Sequence, residues 1–465
     1  TEGDYNFSSG SRGRGNLSST ANPYFLFPQI YNFRYNIYSS EWPVANRAIE
    51  LYLQKKSENE GWERQINGLS NNEKANLLLE KHTFKELLAD VEQRNLQNNI
   101  VGLEASRLFA RSEINMGVDA FRDSLYAMLK RNTFLNIKFE NMLDTLGEMS
   151  RTDLYSYLKE WEQLTPLPFY SIGEPELTKV VNKGGEEFFV LKVLVSNNSD
   201  YDGIIQMNVL QNGWWYQPME DPRARKKVEI AAHTSKEFVS VWEEQIRDVE
   251  INTMVSGNLP YMIRQSIGNV KQERNKIVKD TIYTLPESSL EMPGEVIVDN
   301  EDSTLFVLST PAVVGLLPKW LDKVEDTSFK YSGISWWRAP LQWTATTNAK
   351  YYGKYIRSAY VIKSGDGSQT ATWKIPVPEA GQYELYYHVF KDDELRWNDR
   401  LQGEYHFRVA YDSEMEDAYI NLRKANEGWE QLGTYYFSAD TVRVVLTDEC
   451  KLRSVTADAV KIVKR

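Results

Sequence analysis

The feature that most constrains this chain is a change of hydrophobic period close to Pro166 and Pro168. Before these prolines, apolar residues recur at steps of three and four, the spacing of one helix face. Val101, Ala105, Leu108 and Ser112 follow that spacing, as do Phe121, Leu125, Met128 and Leu129, and then Phe139, Leu143 and Leu146. Ser150 with Asp153 has the pattern of a capping box ahead of Leu154, Leu158 and Trp161. After the prolines the period falls to two. "EEFFVLKVLVSN" alternates between a Gly-Gly and an Asn-Asn, which reads as a strand between turns. "GIIQMNVLQN", "KVEIAAHT", "KEFVSVWEE" and "VEINTMVSG" continue the series, and "EVIVDNEDSTLFVLS" adds a further strand and loop.

A chain that switches period once, and then stays with short strands, reads as multidomain α plus all-β. The expected order is a flexible arm at 1–30, a helical bundle at 31–172, and an Ig-like antiparallel β-sandwich at 173–310. A connector at 311–350 carries Trp320, Trp336, Trp337 and Trp343, and a second β-sandwich fills 351–465. The length of 465 residues suits several such units.

Charge and residue counts narrow the chemistry. The net charge of -11 argues against a nucleic-acid partner, because an acidic surface gains nothing from counterion release. The basic run Arg223–Lys227 (RARKK) reads as a solvated loop. Cys450 is the one cysteine, so no internal disulfide forms. No run approaches the ~18 apolar residues of a spanning helix. His82, His233, His388 and His406 are scattered, with no His-Glu-x-x-His among them, so no zinc set assembles at sequence spacing.

Two stretches remain as candidates for binding. "DDELRWND" at 392–399 reads as a solvated acidic loop in preference to a calcium site, which needs oxygen ligands from several loops. Trp373, Trp397, Tyr411 and Trp429, with Asp399 beside them, form a candidate sugar-binding set. Aromatic faces cover the apolar faces of pyranose rings, while acids and amides take the hydroxyls.

The order of the pieces resembles known families in two places. Gly117-x-x-x-Phe121, "NTFLNIKFENMLDTL", Asp153-Leu154, Trp161 and the exit Leu167-Pro168-x-Tyr170 resemble the end of the helical region in aminopeptidase-N-like zinc metallopeptidases. With "YSSEWPVANRAIELYLQ" the likeness is to the form met in Bacteroidetes, often the soluble end of a permease. That family uses a Glu-Gly motif for its third zinc ligand, which would make Glu2 of "TEGDYNF" that ligand. Zinc would then require a His-Glu-x-x-His segment upstream of Thr1. The family's Tyr-x-Lys-Gly box, whose tyrosine stabilises the oxyanion, is replaced here by Val101-Gly102-Leu103-Glu104-Ala105. No catalytic residue and no cofactor is therefore expected within this chain.

"GSQTATWKIPVPEAGQYELYYHV", "GWEQLGTYYFSADTVRVVLTD" and "TADAVKIV" resemble the golvesin C-terminal domain, also described as xanthan-lyase carbohydrate-binding-like. This resemblance implies a jelly-roll-like sandwich, a glycan ligand, and a place in the bacterial cell envelope, periplasmic or at the surface. The expected function is a non-catalytic, multi-module binding or scaffold protein, with a polysaccharide or an envelope protein as partner. The alternatives are the C-terminal part of a zinc aminopeptidase and a polysaccharide-lyase-associated protein. A membrane link would come only through a transmembrane region upstream.

Overall fold

The computed structural model describes residues 35–54, 60–182, 184–210, 221–274, 278–288, 290, 294–309, 329–334, 339–391 and 403–465. Glu2, Trp397 and Asp399 lie outside these residues.

The helical body starts with β1 (Asn36–Tyr38), followed by α1 (Ala45–Leu53), α2 (Glu60–Asn67), α3 (Asn71–Leu79) and α4 (Phe84–Ala89). Then come α5 (Gln97–Met116), α6 (Val118–Arg131), β2 (Asn136–Lys138), α7 (Phe139–Ser150) and α8 (Leu154–Leu158). Strand β2 pairs in parallel with β1 and runs directly into α7. Ser70 with Glu73 and Thr83 with Glu86 form true capping boxes for α3 and α4. The box expected at Ser150 is absent. Asp153 alone caps α8, accepting from the Ser156 N–H at 3.1 Å, while Ser150 closes α7 and bonds Ser112. The core gathers Trp42, Phe84, Phe139 and Trp161, with Tyr52, Phe109 and Phe121 beyond them.

The next ten strands make the middle unit. They are β3 (Tyr170–Ile172), β4 (Glu176–Val181), β5 (Glu187–Asn197), β6 (Gly203–Val209) and β7 (Arg225–Ile230). After them come β8 (Thr234–Trp242), β9 (Asp248–Asn252), β10 (Met262–Ser266), β11 (Val270–Arg274) and β12 (Thr281–Pro286). One sheet runs β10-β9-β6-β7 and the other β11-β4-β5-β8-β12, with β3 also on β5. Leu191, Val193 and Val195 face Ile205, Met207 and Val209 across a largely aliphatic core. The pairing is not wholly antiparallel, because β11 lies parallel to β4.

The run Arg223–Lys227 is not a solvated loop. It leads into β7, which packs on α5 and α6. Lys227 pairs with the buried Glu113 of α5, which also accepts from the Tyr52 hydroxyl at 2.8 Å. Burial pushes the Lys227 ammonium below its usual range, and Glu113 opposes that shift. Arg111 pairs with Glu229 at 2.9 Å, and Arg225 with Asp119 at 3.7 Å.

The C-terminal unit begins earlier than 351. β13 (Glu295–Val298) and β14 (Phe306–Leu308), read from sequence as the end of the middle unit, belong to it. They are followed by β15 (Thr344–Thr347), β16 (Ser358–Lys363), β17 (Thr370–Pro376), β18 (Gly381–Val389) and β19 (Glu404–Tyr411). β20 (Glu414–Asn421), β21 (Gly428–Phe437), β22 (Thr441–Thr447), β23 (Ser454–Ala457) and β24 (Val460–Lys464) complete it. Its sheets run β13-β24-β18-β21, β14-β17-β22-β19-β20 and β15-β16-β23. Between them lie Trp373, Tyr383, Tyr387, Phe407 and Phe437, a core far richer in aromatic rings than that of the middle unit.

Short contacts tie the units together. The Leu259 N–H donates to the Tyr355 carbonyl at 3.0 Å, and the Arg357 N–H to the Leu259 carbonyl at 2.6 Å. Thr347 donates to the Gly68 carbonyl at 2.8 Å. Gly68, at φ +80°, lets the backbone of Ser332 pass so closely that a Cβ there would lie 2.4 Å from it.

Candidate functional site

The site lies on the outward face of β13-β24-β18-β21. Along β18, Tyr383, Leu385, Tyr387 and Val389 are buried, so Glu384, Tyr386 and His388 point the other way. On β21, Phe437 is buried and Tyr436 is exposed. Unbroken alternation from Phe437 would turn Trp429 into the core. A register shift between Leu385 and Tyr386 makes Leu432 the extra residue and reverses that sense. Trp429 thus stands opposite His388, and Tyr386 stands between Gln431 and Lys461.

These side chains form a continuous strip. The His388 and Trp429 rings meet edge-on at 5.1 Å, and Tyr352 lies 5.0 Å from Trp429. The Lys461 ammonium sits 4.9 Å from the centre of Trp429 and 5.4 Å from that of Tyr386, and pairs with Glu295 at 2.8 Å. The Tyr386 hydroxyl donates to Glu384 at 2.6 Å, which raises its pKa. Gln431 is exposed beside it.

Asp458 holds the strip from below. It is fully buried, and its carboxylate accepts from the Tyr352 N–H at 3.1 Å and lies 2.8 Å from His388 Nδ1. Burial raises its pKa, while the charge of His388 works in the other direction. Its carbonyl accepts from the Trp373 indole at 3.2 Å. Nearby, Asp299 is pushed well above the ordinary carboxylate range by burial and by the charge of Asp458.

The candidate residues from the sequence therefore separate. Trp429 reaches the strip. Trp373 is fully buried and cannot stack on a ligand; its indole supports Asp458 instead. Tyr411 shares the inward sense of Tyr405, Phe407 and Val409 and packs at 5.4 Å from Phe437. Its hydroxyl bonds Glu416, which pushes its pKa up to about 12. Tyr386, His388, Lys461 and Gln431 were missed. The alternation of "GQYELYYHV" carried the signal for Tyr386 and His388, since the residues between Tyr383, Leu385 and Tyr387 must face outward.

A concavity of about 340 Å³ follows the seam between the helical body and the middle sandwich, with Arg107, Arg111, Glu160 and Ile204 in its walls. Arg107 pairs with Glu160 inside the helical body at 3.2 Å, and Arg111 pairs across the seam with Glu229, so both guanidinium groups are already engaged. Among the described residues, no three His, Cys, Asp or Glu side chains gather as a metal site.

The strip thus sets aromatic rings, an imidazole, an ammonium and one amide on the outward face of a sheet. Residues 337–464 match the Golvesin C-terminal domain. The match lies wholly outside the helical body and gives no support to the aminopeptidase-like reading of it. No curated protein matches the chain.

Among solved structures, the chain is similar to a GH26-CBM35 β-(1,4)-mannanase from Podospora anserina, at 11% identity and a TM-score of 0.20, over 37% of this chain and 28% of that one. It is similar to a CBM35 from Cellvibrio japonicus Abf62 at 12% identity and a TM-score of 0.17, over 24% of this chain and 75% of that one. Bacteroides uniformis β-glucuronidase 2 follows at 11% identity and a TM-score of 0.19, over 67% of this chain and 31% of that one. The chain thus spans under a third of the mannanase and of the glucuronidase. At these TM-scores the likenesses carry no weight for ligand or activity.

Proposed function

We propose that the C-terminal module is a non-catalytic carbohydrate-binding unit whose ligand lies along Trp429, His388, Tyr386 and Lys461. The observation that carries this reading is the Leu432 bulge, which turns a large indole out of an aromatic core and sets it among donors and acceptors. An indole and a phenol on one face suit pyranose rings, with Gln431, Glu384 and Lys461 placed to take hydroxyls. A polysaccharide of the envelope or of the surroundings is the partner. The chain works outside the cytoplasm, at the cell envelope, in keeping with the golvesin-like match. The jelly-roll-like arrangement of the module and the Ig-like character of the middle sandwich belong to this reading, with the helical body and middle unit as its scaffold.

The test is a glycan array followed by calorimetry on the full chain and on Trp429→Ala and Tyr386→Ala. Binding of one glycan class that both substitutions weaken, with thermal stability unchanged, supports the reading. Retention of full binding by both variants overturns it.

A further inference from the structure

The far end of the helical body presents an unusual turn between α6 and β2. Phe134 is 82% exposed and Leu135 56% exposed, the former with φ +65°. A bulky residue gains nothing in that left-handed region, and its ring here packs on nothing that would recover the cost. Tyr38, 49% exposed, stands beside Lys138, three residues farther along the β1–β2 ladder than Leu135. Cations surround them. Lys130 and Arg131 end α6 and make no ion pair among the described residues. Lys138 lies 3.8 Å from Glu140, whose other carboxylate oxygen accepts from Ser39 at 2.5 Å.

We propose that this tip is a peripheral contact for an anionic lipid surface, with Phe134 and Leu135 entering the headgroup boundary and Lys130, Arg131 and Lys138 meeting the phosphates. The chain carries -11 overall, so an anionic bilayer repels most of its surface and selects the basic end. No helix among the described residues is long and apolar enough to cross a membrane, so the contact is one of surface attachment.

Sedimentation of the full chain with vesicles tests the idea, using phosphatidylcholine alone and phosphatidylcholine mixed with phosphatidylglycerol. Binding to the mixed vesicles alone, weakened by salt, is expected. Phe134→Gly is the sharpest variant, because glycine adopts the left-handed conformation freely. It should raise the thermal midpoint while weakening vesicle binding about tenfold. Lys130→Glu with Arg131→Glu should abolish the preference for phosphatidylglycerol, and it keeps the test decisive if the turn variant misfolds. Equal binding to both vesicle types, no binding to either, or binding untouched by these variants overturns the proposal. So does self-association that Phe134→Gly abolishes, since the tip would then serve a second copy.

Discussion

The two β-sandwiches of this chain use the same alternation for opposite ends. The middle one builds an aliphatic core from Leu191, Val193, Ile205 and Met207, and gives an outer surface to the helices through Lys227, Arg225 and Glu229. The C-terminal one fills its interior with aromatic rings and then turns one more, Trp429, outward by means of a single extra residue. The contrast teaches that the outward residues of a strand, and not its buried ones, decide what its face can meet.

The comparison breaks most visibly in the cores. Trp373→Ala should cost about 3–5 kcal/mol, because it empties the centre of the C-terminal module and orphans the Asp458 carbonyl. Thermal denaturation checks this, and an unmoved midpoint would return Trp373 to the surface. Lys227→Ala should cost about 3 kcal/mol by taking from the buried Glu113 its nearer cation and leaving only the Arg122 guanidinium, 4.0 Å away. Adding Glu113→Gln should restore much of that loss in chemical denaturation. Without such recovery, the seam does not rest on the ion pair.

Trp429→Ala should leave stability close to native and weaken glycan binding by about tenfold, or about 1.4 kcal/mol, read by calorimetry. The smallest effect concerns pH. Asp299 holds its proton more tightly folded than unfolded. Its stabilising contribution is complete below the unfolded value of about 3.9 and is lost as pH rises through the raised folded value. Asp299→Asn keeps the acceptor for the Asn300 N–H and should flatten that decline in a series of thermal midpoints across pH. An unchanged slope would assign the decline to other groups.

Much of this architecture is legible in the residues. The period change at Pro166 locates the passage from helices to strands, and "EEFFVLKVLVSN" is β5 almost end to end. Interactions between distant segments are less legible. Nothing near Glu295 shows that β13 pairs with β24 more than 160 residues later, because strand pairing leaves no mark in local periodicity. Trp373 and Trp429 are both tryptophans in alternating strands, and burial differs between them because of Leu432, whose effect depends on the register of the neighbouring strand. The RARKK run looked solvated because charge suggests water, and only the facing Glu113 reverses that.

The pairing of β13 and β14 with β24 and β17 has a practical consequence. A fragment cut at residue 337, where the golvesin-like match begins, lacks both strands. The exposed main chain of Val460–Val463 and Ala371–Trp373 would then be open to pairing between molecules. Such a fragment should clump, while one starting at Gly294 should stay monodisperse.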